Sequence, residues 1–212
     1  MSEESRLTLA GLDYELPDEL VAQTPAEPRD ASRLLVLHRE DDTVEDRVFI
    51  ELPSLLVDGD VLVRNDTRVF PARSFFRRAT GGRIEVLFLC ATQEGAAGER
   101  WEALLRGRPR RGEVLESEVL GSAWPLRCAE PAGDGRWLVE NLGAAPVLQL
   151  LESAGVTPLP PYITTPLDDP ERYQTTYACA LGSAAAPTAG LHFTPALDAR
   201  LAAGGVHLET VT

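Results

Sequence analysis

The sequence predicts an α/β domain in two pieces with a small all-β barrel inserted between them. Two observations predict it. Helix start signals built on proline sit only toward the two ends of the chain, and the middle is a series of short β-type runs separated by Gly-rich breaks. The expected division is a first α/β segment over 1–66, the barrel over 67–146 and a second α/β segment over 147–212.

In the first segment, LDYELPDELVAQTP reads as an extended start followed by a short helix begun by Pro17 and closed before Pro25. RLLVLHRE is a compact apolar strand with a turn at Glu40 to Asp42 after it. ELPSLLVDGDVLVRNDTRV then gives a helical turn, a turn at Asp58-Gly59-Asp60 and a buried strand over Val61 to Val63. From about Thr67 the runs RIEVLFLC, RWEALLRG, GEVLESEVL, PLRCAE and RWLVEN follow at barrel-like spacing. Ile84, Val86 and Phe88 alternate only partly with Glu85, Leu87 and Leu89, the pattern of strands covered on both sides.

In the last segment, PVLQLLESAG has proline at the first helical position, a stripe of Val147, Leu148, Leu150 and Leu151, and Gly155 as a stop. TPLPPYITTP, with four prolines in ten residues, is an ordered loop or a polyproline-like run. Asp168 or Asp169 caps a short helix carrying Tyr173 and Tyr177 one turn apart. TPALDARLAAGG is a helix capped by Thr194, and VHLETVT is a strand.

The chain has 212 residues, a formal net charge of −13, 20 Lys+Arg that are all arginine, three cysteines and three histidines. No apolar run reaches the roughly 20 residues of a membrane span, and the acidic start MSEESR is unlike a signal peptide. A cytoplasmic location is the expectation. Widely spaced cysteines argue against a disulfide framework or a structural metal. The charge is unevenly placed. Between Arg64 and Arg111 there are 11 arginines against five acids, so that stretch is +6 and the remainder −19. Such asymmetry marks a phosphate-binding face or simply a solvated barrel surface, and arginine suits both.

Two segments stand out as candidate chemistry. PTAGLHF brings small residues and His192 to a helix start, whose unpaired N–H groups favour a carboxylate, a phosphate or a developing anion. There the helix dipole would lower the pKa of His192 and keep it a neutral base or donor. A histidine satisfied by backbone in a turn accounts for the same residues. NDTRVFPAR follows a strand, where open α/β sheets place ligands, although an Asx turn at Asn65-Asp66 with Asp66 paired to Arg68 explains it too. Tyr162, Tyr173 and Tyr177 are able to stack on a base, and core packing explains them equally well. No dinucleotide fingerprint, phosphate loop, nucleophile elbow or zinc-protease motif is present.

Taken together and in order, YELPDELVAQTPAEPRDASRLLVL, NDTRVFPAR with GGRIEVL, PLPPYI, YQTTYA and AAPTAGLHFT resemble the S-adenosylmethionine:tRNA ribosyltransferase-isomerase (QueA) family of queuosine synthesis. The likeness covers nearly the whole chain. It implies a QueA-like discontinuous α/β domain with an inserted barrel. It also implies an enzyme that uses S-adenosylmethionine as a ribosyl donor, with no metal. The implied acceptor is 7-aminomethyl-7-deazaguanine at the wobble position of a tRNA with a modified anticodon loop, and the products are epoxyqueuosine, adenine and methionine. For such an enzyme, the helix-start geometry and the lowered pKa expected of His192 place His192 and Thr188 at the reacting centre, with Gly190 and Phe193 beside them and Asn65, Asp66, Thr67 and Arg68 opposite. Arg73, Tyr162 and Tyr173 complete the substrate contacts, and Arg77, Arg78, Arg83, Arg108, Arg110 and Arg111 position tRNA phosphates. The spatial expectation is that positions near 65 and 190 share one polar cleft. Members of the family continue beyond the strand that ends this sequence, so the alternative reading is a truncated, non-catalytic RNA-binding or structural remnant with an exposed sheet edge.

Overall fold

The computed structural model describes residues 13–93 and 99–212. The MSEESR start therefore lies outside the described residues. The expected helix after Pro17 is a single 3-10 turn, Asp18–Leu20, that buries nothing. Strands β1 (Arg33–His38) and β2 (Thr43–Val48) form an antiparallel hairpin in the register Arg33↔Val48 to His38↔Thr43, closed by a turn in which Asp42 takes a positive φ of 56°. A 3-10 turn, Phe49–Ser54, leads to β3 (Val61–Asn65) and, after one residue, β4 (Thr67–Val69).

The next six strands are β5 (Arg73–Arg78), β6 (Arg83–Gln93), β7 (Arg100–Arg106), β8 (Val114–Ser117), β9 (Gly121–Gly133) and β10 (Arg136–Asn141). They close into a barrel in the order β10-β7-β6-β5-β8-β9. A barrel of six strands is narrow enough for side chains to fill it. Trp124 does so at the centre, edge-on to Phe76 with centroids 5.0 Å apart and stacked on Phe88 at 5.7 Å. Ile84, Val86 and Phe88 point inward and are fully buried, while Glu85 between them pairs outward with Arg73. The alternation is thus that of a strand covered on one face only, and the expectation of cover on both faces does not hold. Cys128 also faces the interior, where burial pushes its thiol pKa up to about 12, and all three cysteines are free.

The barrel strands begin at Arg73 rather than at Thr67, because β4 pairs outside the barrel. After the barrel comes α1 (Val147–Ala154), whose Val147, Leu150, Leu151 and Ala154 join the barrel's apolar core while Leu148 stays partly exposed. Pro146 is its N-cap residue rather than its first helical one. The buried carboxylate of Glu99 anchors this helix. It accepts from the backbone N–H of Val147 at 2.8 Å and from the Trp101 indole N–H at 2.8 Å. Glu99→Ala leaves two buried donors unpaired and is expected to cost about 2–4 kcal/mol. Chemical denaturation of the two proteins measures it.

The α/β part consists of two parallel pairs. Strand β11 (Ala180–Ser183) lies beside β4, and β12 (His207–Val211), which follows α2 (Pro195–Ala203), lies beside β3. The continuous run of β3 and β4 changes partner at Asp66, whose N–H donates to Val211 O and whose carbonyl accepts from Cys179 N and Ala180 N. Thr194 caps α2 as expected, its hydroxyl accepting from Leu197 N at 3.1 Å. Leu62 and Leu208 pack with Phe193, Leu197, Leu201 and Val206 in a second core. The opposite face is bare: Val61 and Val63 are 60% and 57% exposed and Val211 is 53% exposed. The predicted buried strand is therefore buried on one side, where α2 and the Phe49–Ser54 turn supply Leu197, Leu201, Phe49 and Leu52 to the core that holds Leu62 and Leu208.

Candidate substrate cleft

A cleft of about 660 Å³ opens where barrel, α1 and the proline-rich loop meet, a size suited to a small-molecule ligand. Its first wall is the connection from Arg68 to Arg73, leading into the barrel. Glu152 and Gly155 at the end of α1, with Val156, Thr157 and Leu159, make the second. Ile163 to Leu167 make the third, and Pro170, Glu171 and Gln174 the fourth.

Local chemistry fixes each wall. Arg73 and Val156 exchange backbone hydrogen bonds, 3.1 Å from Arg73 N to Val156 O and 2.7 Å in return. Gly155 makes that approach possible, because a Cβ there would stand 2.1 Å from Pro71 O. Asp169 caps the 3-10 turn Pro170–Tyr173 by accepting from Glu171 N. The turn is too short to reach Tyr177, so the expected one-turn pairing of Tyr173 and Tyr177 is absent. The Gln174 amide is clamped on β4, accepting from Val69 N at 3.0 Å and donating to Val69 O at 2.8 Å. Across the mouth Arg68 is paired with Glu171, and Arg73 with Glu85 at 3.2 Å. The cleft thus has apolar walls, from Val69, Phe70, Leu159 and Ile163, and a cation beside an anion at its edge.

Of the residues predicted from sequence, the cleft gathers Arg68 and Arg73. Tyr162 is 58% exposed, and its carbonyl, not its ring, is fixed, by Gln23 Nε2 at 3.0 Å. Tyr173 is buried next to Gln174, and burial raises its pKa. Asn65 forms the Asx turn, accepting from Thr67 N at 2.8 Å. The accompanying Asp66–Arg68 pair does not form. Asp66 is buried and accepts from Thr212 Oγ1 at 2.7 Å and from Cys179 Sγ at 3.2 Å, bonds that hold its carboxyl below the usual range, and Thr67 is buried beside it.

The segment Thr188–His192 is a 3-10 turn that does not line the cleft. It meets the strand near position 65 through packing. The Arg64 guanidinium lies 3.9 Å from the Tyr177 ring centroid and 5.2 Å from that of Phe193, while Gly190 is pressed against Tyr177, where a Cβ would stand 2.3 Å from its hydroxyl. The expected shared polar cleft is therefore a filled contact, because Phe193 drops into the second core. Thr188 is exposed at the start of the turn. The N-terminus of α2 is not open to an external anion: the buried Asp30 carboxylate accepts from the capping Thr194 hydroxyl at 2.9 Å and supplies the negative charge itself.

His192 lies against Phe49, with centroids 5.2 Å apart, and its Nδ1 is 2.9 Å from Ser32 Oγ. Its pKa is lowered, as expected from sequence, but the main cause is burial, with Arg172 and Arg29 adding to it against a hydrogen bond to the Arg29 backbone, rather than the dipole of α2. A histidine whose folded pKa is depressed makes the unfolded chain the better proton binder. Its contribution to stability is therefore present above the free value of about 6.5 and lost as pH falls through the folded value. His192→Gln is expected to flatten the acid side of the stability–pH curve, as read by denaturant midpoints at several pH values.

The arginine face is largely neutralised. Arg77 and Arg83 share Glu118 at 3.2 and 3.1 Å, Arg78 pairs with Glu113 at 3.1 Å and Arg111 with Glu130 at 3.5 Å. These glutamates follow Arg111 in sequence but lie on neighbouring barrel strands and turns, which a linear count of charge does not see. Arg110 meets Glu113 only through its backbone N–H, 2.9 Å from Glu113 Oε2. Among the described residues no group of three or more acidic, Cys or His residues is placed to hold a metal ion, and no helix is long and apolar enough to cross a membrane.

A model of the family described as "Queuosine biosynthesis protein" matches residues 9–212. The chain belongs to this family. It is 51% identical to the S-adenosylmethionine:tRNA ribosyltransferase-isomerase of Anaeromyxobacter sp. over 97% of this chain and 59% of that protein. With the enzyme of the same name from Pelobacter propionicus it shares 47% identity over 94% of this chain and 58% of that protein. A crystal structure of S-adenosylmethionine tRNA ribosyltransferase from Thermotoga maritima is 32% identical, over 94% of this chain and 56% of that one, with a TM-score of 0.37. The chain spans less than two thirds of the length of each.

In this member of the queuosine biosynthesis family, four further residues, Gln23, Arg29, Glu171 and Gln174, build the cleft or hold its walls without any local chemical signal in the sequence. The Gln23 amide oxygen accepts from Thr164 N at 2.8 Å and its nitrogen donates to Tyr162 O, tying the proline-rich loop to the first segment. Arg29 donates to the carbonyls of Glu171, Gln174 and Leu191 at 3.1, 2.9 and 3.2 Å. It thereby staples the cleft's fourth wall to the turn before His192. All four lie in or beside segments that carry the family resemblance, which was the available signal.

Proposed function

We propose that this chain is the donor-binding part of an S-adenosylmethionine:tRNA ribosyltransferase-isomerase, acting on 7-aminomethyl-7-deazaguanine at the wobble position of tRNA. The reaction gives epoxyqueuosine with release of adenine and methionine. One observation carries this reading: NDTRVFPAR, PLPPYI and RYQTTYA, far apart in sequence, meet around a single cleft, and the amino-terminal segment pins two of its walls through Gln23 and Arg29. The paired Arg68 and Glu171 suit the carboxylate and ammonium of the donor's methionyl end, and the apolar walls suit its adenosine. A sulfonium acidifies the neighbouring ribose carbon, so one positioned base starts the rearrangement, while the acceptor amine has to be neutral to attack. The protein acts in the cytoplasm on this reading, where tRNA and donor are found together.

Calorimetry with S-adenosylmethionine tests the proposal. Saturable binding is expected, weakened at least tenfold in Arg68→Met, which removes a charged hydrogen-bond donor but keeps the apolar stem. Absence of saturable heat at millimolar donor overturns it and leaves a remnant of the family without donor chemistry.

A further inference from the structure

The hydrogen bonds around His192 determine more than its position. Ser32 Oγ lies 3.0 Å from Arg29 O and 2.9 Å from His192 Nδ1. A serine hydroxyl has one proton, and a carbonyl oxygen only accepts. The Ser32 proton is therefore committed to Arg29 O, and its oxygen has to accept from His192. That requires the proton of the neutral ring to sit on Nδ1. Among the described residues His192 Nε2 has no side-chain partner, and the ring is only partly buried.

We infer that Ser32 is a positioning residue that holds His192 in the Nδ1–H tautomer and so presents the Nε2 lone pair outward as a proton acceptor. The surroundings favour this neutral form. Burial does most of this, with Phe49 covering one side, and the cationic Arg172 and Arg29 add to it against a hydrogen bond to the Arg29 backbone. The turn carrying His192 is fixed to the wall of the cleft, since Arg29 donates to Leu191 O as well as to Glu171 O and Gln174 O. The His192 turn, which does not itself line the cleft, is thus held relative to it by the same side chain that contributes to the neutral state of the ring.

The use of this acceptor rests on the transferase reading given above. There, Nε2 takes one proton from the acceptor's primary ammonium, leaving a neutral amine with a free electron pair and an imidazolium that returns the proton to solvent. His192 would act in this step, and Ser32 only through it.

Long-range proton–nitrogen correlation spectra of the imidazole rings test the inference in the chain alone, without donor or tRNA. His38→Gln and His207→Gln assign the other two rings. The expected spectrum at neutral pH shows His192 with a protonated Nδ1 and a bare Nε2. Ser32→Ala should replace the single tautomer by a mixture and shift the titration midpoint, and Ser32→Thr, which keeps the hydroxyl, should restore both. An Nε2–H ring in the unsubstituted chain, or a Ser32→Ala spectrum unchanged from it, overturns the inference. Thermal unfolding of both variants identifies any loss of fold, and in that event the Ser32→Thr and unsubstituted spectra still decide. Because no donor is present, failure here leaves the transferase reading standing, and failure of donor binding leaves the tautomer standing.

Discussion

Replacing Trp124 by alanine is expected to lower the unfolding free energy by about 3–5 kcal/mol, the cost of deleting a large aromatic from a packed core. Trp124 is fully buried at the middle of the six-stranded barrel, with Phe76 and Phe88 against its two faces and edges, and Phe88 in turn packs edge-on to Trp101 at 5.9 Å. A closed barrel has no slack through which its strands collapse around the void, so the cavity term is added to the lost transfer energy nearly in full. The effect extends beyond the barrel. Val147, Leu150 and Leu151 of α1 share this core, and α1 carries Glu152 and Gly155 into the cleft. Trp124→Phe should recover part of the loss, since an aromatic ring is kept and the indole N–H, which has no partner among the described residues, is removed. Denaturant titrations of the three proteins give the comparison.

Gly155→Ala is the second large effect, and it separates folding from binding. The added methyl would stand 2.1 Å from Pro71 O and 2.5 Å from Leu151 O, both backbone atoms that cannot swing aside. Either the end of α1 or the connection through Pro71 has to move. The expected cost is about 1–3 kcal/mol of overpacking strain, and the reciprocal Arg73–Val156 bond pair is the first contact to break. Two walls of the cleft then separate, so donor affinity falls by more than tenfold while the barrel remains folded. Gly182→Ala, where the new methyl meets nothing within 4 Å, is the control and should leave both stability and binding unchanged. A Gly155→Ala protein with unaltered midpoint and affinity would show that the close approach at Pro71 is unimportant.

Much of the fold was legible in the sequence, and the limits of that reading are physical. The Thr194-Pro195 start of α2, the hairpin run RLLVLH and the barrel runs are local signals, set by capping and alternation, and they form where the sequence places them. Strand β5 carries a weak local signal, because RSFFRR puts arginines where a polar outer face is usually mixed, and its inward residues are only Ser74 and Phe76. The apolar run after the Asp58-Gly59-Asp60 turn reads as a buried strand over Val61 to Val63, and here one of its faces is bare. The candidate site was legible in its segments but not in its geometry. Sequence order shows that NDTRV and PTAGLHF carry polar groups. It does not show that Tyr177 and Phe193 fill the space between them, or that Gln23 and Arg29 reach across to the proline-rich loop and the Glu171 turn. Those are tertiary contacts between residues whose local environments are unremarkable, and the same holds for the glutamates that neutralise the arginine-rich strands.

The most direct test of the central claim, that the cleft between barrel, α1 and proline-rich loop is where S-adenosylmethionine binds, is a backbone amide chemical-shift titration of the chain with that ligand. Saturable changes are predicted at residues 68–73, 155–159 and 163–174, with the outer barrel strands unmoved. Saturable changes confined to the barrel surface or to the bare face of β3 and β12, with none around the cleft, would contradict it.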